Sequence, residues 1–142
     1  MKPSLQPGLE AHARFEVDRE RTIDFMGESA RVYATPMLVR DLEIACRNLL
    51  LAHLDAGEDS VGTRVEIDHI GATLLGMPVV LTVRVAAVDG RAVVFEVEGR
   101  DAVEPIVRGR HARFVVDVAK TAQRPAAKAA KAAQAANSGA AG

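Results

Sequence analysis

Cys46 is the only cysteine in 142 residues. That excludes an internal disulfide and fits a reducing compartment such as the cytoplasm. Long apolar runs are missing too, with none near the roughly 20 residues needed to cross a bilayer. Met1 to Gly8 lack the apolar core of a secretion signal. These absences predict a cytoplasmic protein with no membrane partner. No single sign of charge dominates: 18 Lys and Arg meet 19 Asp and Glu, net −1, with pI near 6.4. A general nucleic-acid binder would carry a basic footprint, so no nucleic-acid partner is expected. The four histidines, His12, His53, His69 and His111, are scattered and have no second cysteine beside them. No metal-ligand spacing results, and no glycine-rich phosphate loop or dinucleotide fingerprint appears, so neither metal nor cofactor is expected.

What is present is an ordinary globular balance, 49% hydrophobic and 26% charged, with length for one domain and one core. Thr35-Pro36 predicts a helix opening, Thr as N-cap and Pro at the first helical position. The helix should run to about His53-Leu54, with Gly57 behind it as the chain-reversing residue. Leu38, Leu42, Ala45 and Leu49 form its apolar row, and Val39, Glu43, Cys46 and Leu50 lie alongside. Glu43 is the conspicuous member. A carboxylate on such a face loses solvation, at a cost of several kcal/mol or so unless paired or protonated.

Beyond the helix the period becomes two. Val65, Ile67 and His69 alternate with Arg64, Glu66 and Asp68; Val79, Leu81, Val83 and Val85 mark a long strand. Asp89-Gly90 predicts a two-residue hairpin, followed by Val93, Phe95 and Val97 and a last strand over 106–118. With a lead-in strand at 13–17, the expectation is an α+β chain with one long helix, a preceding strand, and four strands in meander. A single helix covers one face of such a sheet. Residues 119–142 are Ala/Lys-rich with no apolar stripe, and are read as a mobile tail, helical at most in part.

These elements resemble the hotdog-fold thioesterases, and within them the fluoroacetyl-CoA thioesterase family. The matching pieces, in order, are Val32-Tyr33-Ala34-Thr35, Glu43 followed by Ala45-Cys46, Leu54 to Gly57-Glu58, Val61-Gly62-Thr63 with His69, Ala72-Thr73 and Gly76, Val88-Asp89-Gly90-Arg91, and Gly109, His111 and Arg113. The similarity covers about residues 8–118. It implies a hotdog domain over 1–118, one long central helix wrapped by a curved antiparallel sheet of about five strands, with 119–142 outside it. It implies an active-site trio at Thr35, Glu43 and His69, a glycine near the bound carbonyl at Gly62, and a last-strand arginine at Arg113. It also implies an acyl-CoA substrate, and a homodimer paired edge to edge with the site at or near the subunit boundary. Two departures stand out: the segment 24–31 is shorter than the family's aromatic-gated lid, and Ala112 stands where the family has Glu. The expected substrate is therefore a small or short-chain acyl-CoA, hydrolysed to free acid and CoA, rather than fluoroacetyl-CoA specifically.

The chemistry fits these residue types. A thioester carbonyl needs a nucleophile or activated water, donors for the developing oxyanion, and a route for thiol release. Glu43 is the candidate nucleophile or base, desolvation raising its basicity; a buried, hydrogen-bonded structural Glu is the alternative. Thr35 can orient the attacking group, or simply cap the helix. His69 can polarise or donate, or be a satisfied core imidazole. Gly62 can admit the carbonyl to the backbone, or mark a bulge. Arg113 can hold substrate, or serve a structural ion pair. Cys46 reads as packing. A non-catalytic acyl-CoA-binding or regulatory domain on the same fold is the competing function.

Overall fold

The computed structural model describes residues 1–141. Strand β1 (Glu10–Glu16) leads through a 3-10 turn to two short strands, β2 (Thr22–Ile23) and β3 (Val32–Tyr33), which pair with each other. Helix α1 (Thr35–Leu51) follows, then strands β4 (Glu58–His69), β5 (Pro78–Asp89), β6 (Ala92–Asp101) and β7 (Pro105–Asp117), and finally helix α2 (Val118–Ala141). The five long strands form one antiparallel sheet in the order β1-β5-β6-β7-β4. This is the hotdog arrangement, with α1 as the helix the sheet encloses.

Amphipathicity places α1. Leu38, Leu42, Ala45, Cys46, Leu49 and Leu50 are buried against the inward side chains Val79, Leu81, Val83, Val85, Val93, Phe95 and Val97. Each fully buried Leu, Val or Phe contributes about 1.5–3 kcal/mol, so this seam fixes the helix on the sheet. The Asp89-Gly90 hairpin forms as expected: Asp89 pairs with Ala92, and Gly90 takes the positive φ of +58° that the tight turn requires.

Four expectations are corrected. The four-strand meander is really three, β5-β6-β7, because β4 pairs with β7 at the far edge. The chain after β4 does not fold back on it; it runs to β3, where Tyr33 N–H donates to Thr73 O and Val32 bridges Leu74. Helix α1 ends at Leu51, and its N-cap is Ala34 with no side-chain cap bond, so Thr35 is the first helical residue. The third concerns β4, whose outer edge has no neighbour in the sheet among the described residues: Val65, on the face it shares with Ile67 and His69, is 43% exposed. The fourth is the tail, expected over 119–142 and helical at most in part: its described residues are helical as far as Ala141, and every residue from Ala122 to Gly139 is exposed. No described helix is long and apolar enough to cross a membrane.

Candidate active site

Two polar clusters flank α1, and they divide the sequence-derived site between them. The first sits where α1 begins and β4 ends. Because Ala34 takes the capping position, the Thr35 hydroxyl is free, and its Oγ1 lies 2.8 Å from His69 Nδ1. The His69 ring stands edge-on to Tyr33, centroids 6.5 Å apart. Desolvation lowers the His69 pKa, offset only in part by the Gly71 backbone, which favours the neutral imidazole. Its Nε2 is buried and has no hydrogen-bond partner among the described residues. A buried polar atom left unpaired costs stability, and such atoms concentrate where a ligand or reaction uses them. A cavity of about 280 Å³ opens here, lined by Ile23, Val32, Tyr33, Thr35, His69 and the 70–72 turn.

The second cluster surrounds Glu43, two turns along α1. Its Oε1 receives a hydrogen bond from Arg113 Nη1 at 3.2 Å. Arg113 is only 4% exposed and is held on every side. Its Nε donates to Ser60 Oγ at 2.7 Å, Nη2 donates to Ser60 O at 2.8 Å, and Nη1 lies 3.2 Å from His111 Nε2. Since His111 Nδ1 lies 2.8 Å from the Arg64 carbonyl oxygen, Nδ1 carries the proton and Nε2 accepts from Arg113. Burial and the neighbouring guanidinium push the His111 pKa down, which maintains that neutral tautomer. Gly62 completes the cluster. A Cβ there would overlap Glu43 Oε1 and come 3.2 Å from His111 Cε1, so the carboxylate rests where a side chain would be. Gly62 is also at a β-bulge: it pairs with Arg113, whereas Arg64 pairs with Ala112.

The sequence expected Glu43 buried among apolar groups and facing the imidazole. Neither holds within one chain. The Glu43 side chain is 44% exposed and ion-paired, because it lies on the flank of α1 toward the free β4 edge rather than on the face that meets the sheet. Thr35 and Glu43 are eight residues apart, roughly 12 Å along a helix axis, and Gly62 and His69 are separated by roughly 23 Å of strand. So Thr35 meets His69, Glu43 meets Gly62 and Arg113, and the two groups stay apart.

Sequence reasoning missed a third set. Asp41, 6% exposed, accepts from the Tyr33 hydroxyl and from Arg21 through Nε at 2.8 Å and Nη2 at 3.2 Å. The Arg21 guanidinium also stacks 4.5 Å over the Phe15 ring. This knot ties β2 and β3 to α1 and holds Tyr33 against His69. The signal was available: Asp41 follows Leu38 by three and precedes Ala45 by four, on the buried stripe itself. Cys46 is fully buried, its thiol pushed up to about 12 mainly by desolvation, as a packing residue should be. No group of three or more metal-ligating side chains occurs among the described residues.

Comparison with known proteins gives this geometry a context. Residues 17–119 match the family model for fluoroacetyl-CoA-specific thioesterase. A fluoroacetyl-CoA thioesterase of Streptantibioticus cattleyicolor is 30% identical over 127 residues, 84% of this chain and 91% of that protein. The solved structure of the fluoroacetyl-CoA thioesterase FlK superposes with a TM-score of 0.81 at 28% identity, covering 88% of this chain and 98% of that one. A thioesterase superfamily member from Thermus thermophilus superposes with a TM-score of 0.82 at 31% identity, covering 93% and 99%.

Proposed function

Because the chain belongs to the fluoroacetyl-CoA-specific thioesterase family and is an acyl-CoA thioesterase, we propose that it hydrolyses a small or short-chain acyl-CoA at a site shared between two subunits. The observation that carries this reading is the division of the polar groups between two stations along β4, whose outer edge is free. An exposed edge strand invites pairing with a second copy. Two β4 strands joined antiparallel about a twofold axis at Glu66 would bring His69 of one subunit beside Gly62 of the partner subunit, the bulge between Gly62 and Arg64 taking up the extra residue. Each site then takes Thr35 and His69 from one chain and Glu43, Gly62 and Arg113 from the other.

In that site Arg113 holds one Glu43 oxygen and leaves the other for a water molecule. Glu43 takes a proton from this water as it attacks the thioester carbonyl. The oxyanion is received at the Gly62 backbone. Collapse of the tetrahedral intermediate breaks the carbon–sulfur bond. Glu43 returns the proton it took to the departing CoA thiolate, while the neutral His69, oriented by Thr35, polarises the thioester by a hydrogen bond. The cavity at Thr35 and His69, about 280 Å³, suits a short acyl group. The buried Cys46 fits work in a reducing compartment, the cytoplasm.

The test is thiol release from a panel of acetyl-, fluoroacetyl-, longer-chain and aromatic acyl-CoAs, run with Glu43→Gln and His69→Ala. Turnover of the short esters, lost in both folded variants, is expected. Tight ester binding without thiol release in the wild type would contradict the reading.

A further inference from the structure

The chain is electrically divided. Residues 1–117 hold all 19 acidic residues against 14 basic ones, whereas the segment from Val118 onward holds Lys120, Arg124, Lys128 and Lys131 and no acid. In the body, arginines are neutralised locally: Arg19, Arg21, Arg31, Arg47, Arg84 and Arg113, among others, each have a carboxylate oxygen within 4 Å. Among the described residues, none of the four α2 cations has such a partner. Their spacing of four, four and three places them on one stripe of the helix, within an arc of about 80° and roughly 16 Å long. A row of like charges that repel one another and meet no anion within the chain is a surface prepared for an external anion.

The base of this stripe overhangs a cavity of about 470 Å³, whose lining includes Val61, Thr63, Arg91, Phe114, Lys120 and Arg124. Phe114 and Val61 are 43% and 44% exposed there, an apolar floor under cationic walls. Val61 and Thr63 flank Gly62 along β4, and the Val61–Phe114 pair lies on the outer face, opposite the Gly62–Arg113 pair that meets Glu43. Helix α2 begins where the family match, residues 17–119, ends.

We infer that Arg91, Lys120 and Arg124 form a cradle for the phosphorylated nucleotide end of the acyl-CoA, with Phe114 and Val61 as the wall for its adenine or pantetheine portion. This rests on the acyl-CoA reading above. Charge complementarity carries it: CoA bears a diphosphate and a ribose monophosphate, and the cavity sets Lys120, Arg124 and Arg91, the last paired with Glu58 at 3.6 Å, around an apolar floor, with Asp117 the one acid in its lining. A long polyanion such as a nucleic acid suits the site less well, because the body beside the stripe is net negative and the stripe ends in a cavity of small-molecule size.

The test compares full-length wild type with the double variant Lys120→Glu/Arg124→Glu on the same acyl group carried by CoA or by N-acetylcysteamine, which lacks the nucleotide. The wild type should prefer the CoA ester in kcat/KM, and 0.5 M NaCl should erode that preference. The variant should lose about tenfold or more of the preference, through KM. An undiminished preference would overturn the cradle, as would equal losses on both esters. Retention on heparin abolished by the variant, with the CoA-ester KM unmoved, would also overturn it in favour of a polyanion surface. If the wild type cleaves neither ester, the hydrolytic reading fails and calorimetry with CoA decides the cradle separately. At least tenfold weaker CoA binding by the variant supports it; equal binding refutes it.

Discussion

Replacing Gly62 with Ala tests the assignment of Glu43 by displacing its carboxylate with a single methyl group. The new Cβ would overlap Glu43 Oε1 and sit 3.3 Å from Glu43 Cδ, so the carboxylate must move by about 1 Å to regain van der Waals contact. Its bond to Arg113 is already 3.2 Å long, and such a shift breaks or badly misaligns it. Misplacing a reacting group by 1 Å costs on the order of 100-fold in rate. The fold should barely notice. What moves is the end of a half-exposed side chain, and Ala in an edge strand is no worse than Gly. Gly62→Ala should therefore lower kcat on a short acyl-CoA about 100-fold, while Tm by calorimetry stays within about 3 °C of wild type. Turnover within threefold of wild type would refute the assignment of Glu43 as the acid whose position matters. A collapse in Tm would show instead that Gly62 serves the bulge.

The pH dependence of stability follows from His111. Its folded pKa lies below the ordinary value because of burial and Arg113, so its stabilisation is complete above about pH 6.5 and is lost as pH falls toward the folded pKa. Wild-type Tm should fall between pH 7 and 5, and His111→Phe should flatten that slope, leaving the part owed to His69, whose pKa is lowered in the same direction; an unchanged slope contradicts this. Asp41→Ala strands Arg21 and the Tyr33 hydroxyl, and should cost about 3 kcal/mol, or roughly 10 °C in Tm by thermal melts; a loss under 1 kcal/mol would show the knot to be ornamental. Native protein should resist thiol labelling at Cys46, which is fully buried with its thiol raised to about 12, and should react only on unfolding; rapid labelling of folded protein would place it elsewhere.

Much of the fold was legible because hydrophobic period and turn chemistry are local signals. The α1 seam, the Asp89-Gly90 hairpin and the extents of β5 to β7 came directly from them. Strand order was not legible. The pattern of β4 is that of any alternating strand, and only its pairing with β7 reveals that its other edge is free. The site followed the same division. Residue types at family spacing singled out Thr35, Glu43, His69, Gly62 and Arg113, but not their grouping, which depends on how α1 crosses the sheet. Asp41 was overlooked because Glu43 seemed the stranded acid, whereas the carboxylate nearest full burial was two residues earlier and already satisfied by Arg21 and Tyr33. His111 entered only as part of the family pattern beside Arg113, without a role, and Ser60 gave no signal, since their task is to hold Arg113 and that contact spans 53 residues for Ser60.

Mixed dimers test the shared site most directly. Glu43→Gln and His69→Ala chains, each inactive alone, are unfolded together, refolded, and assayed for thiol release from a short acyl-CoA. If each site draws Glu43 from one subunit and His69 from the other, every heterodimer contains one intact site. Random pairing then restores about a quarter of wild-type activity. Activity no higher than that of the separate variants would mean both residues serve a site within one chain, and the shared-site account would be wrong.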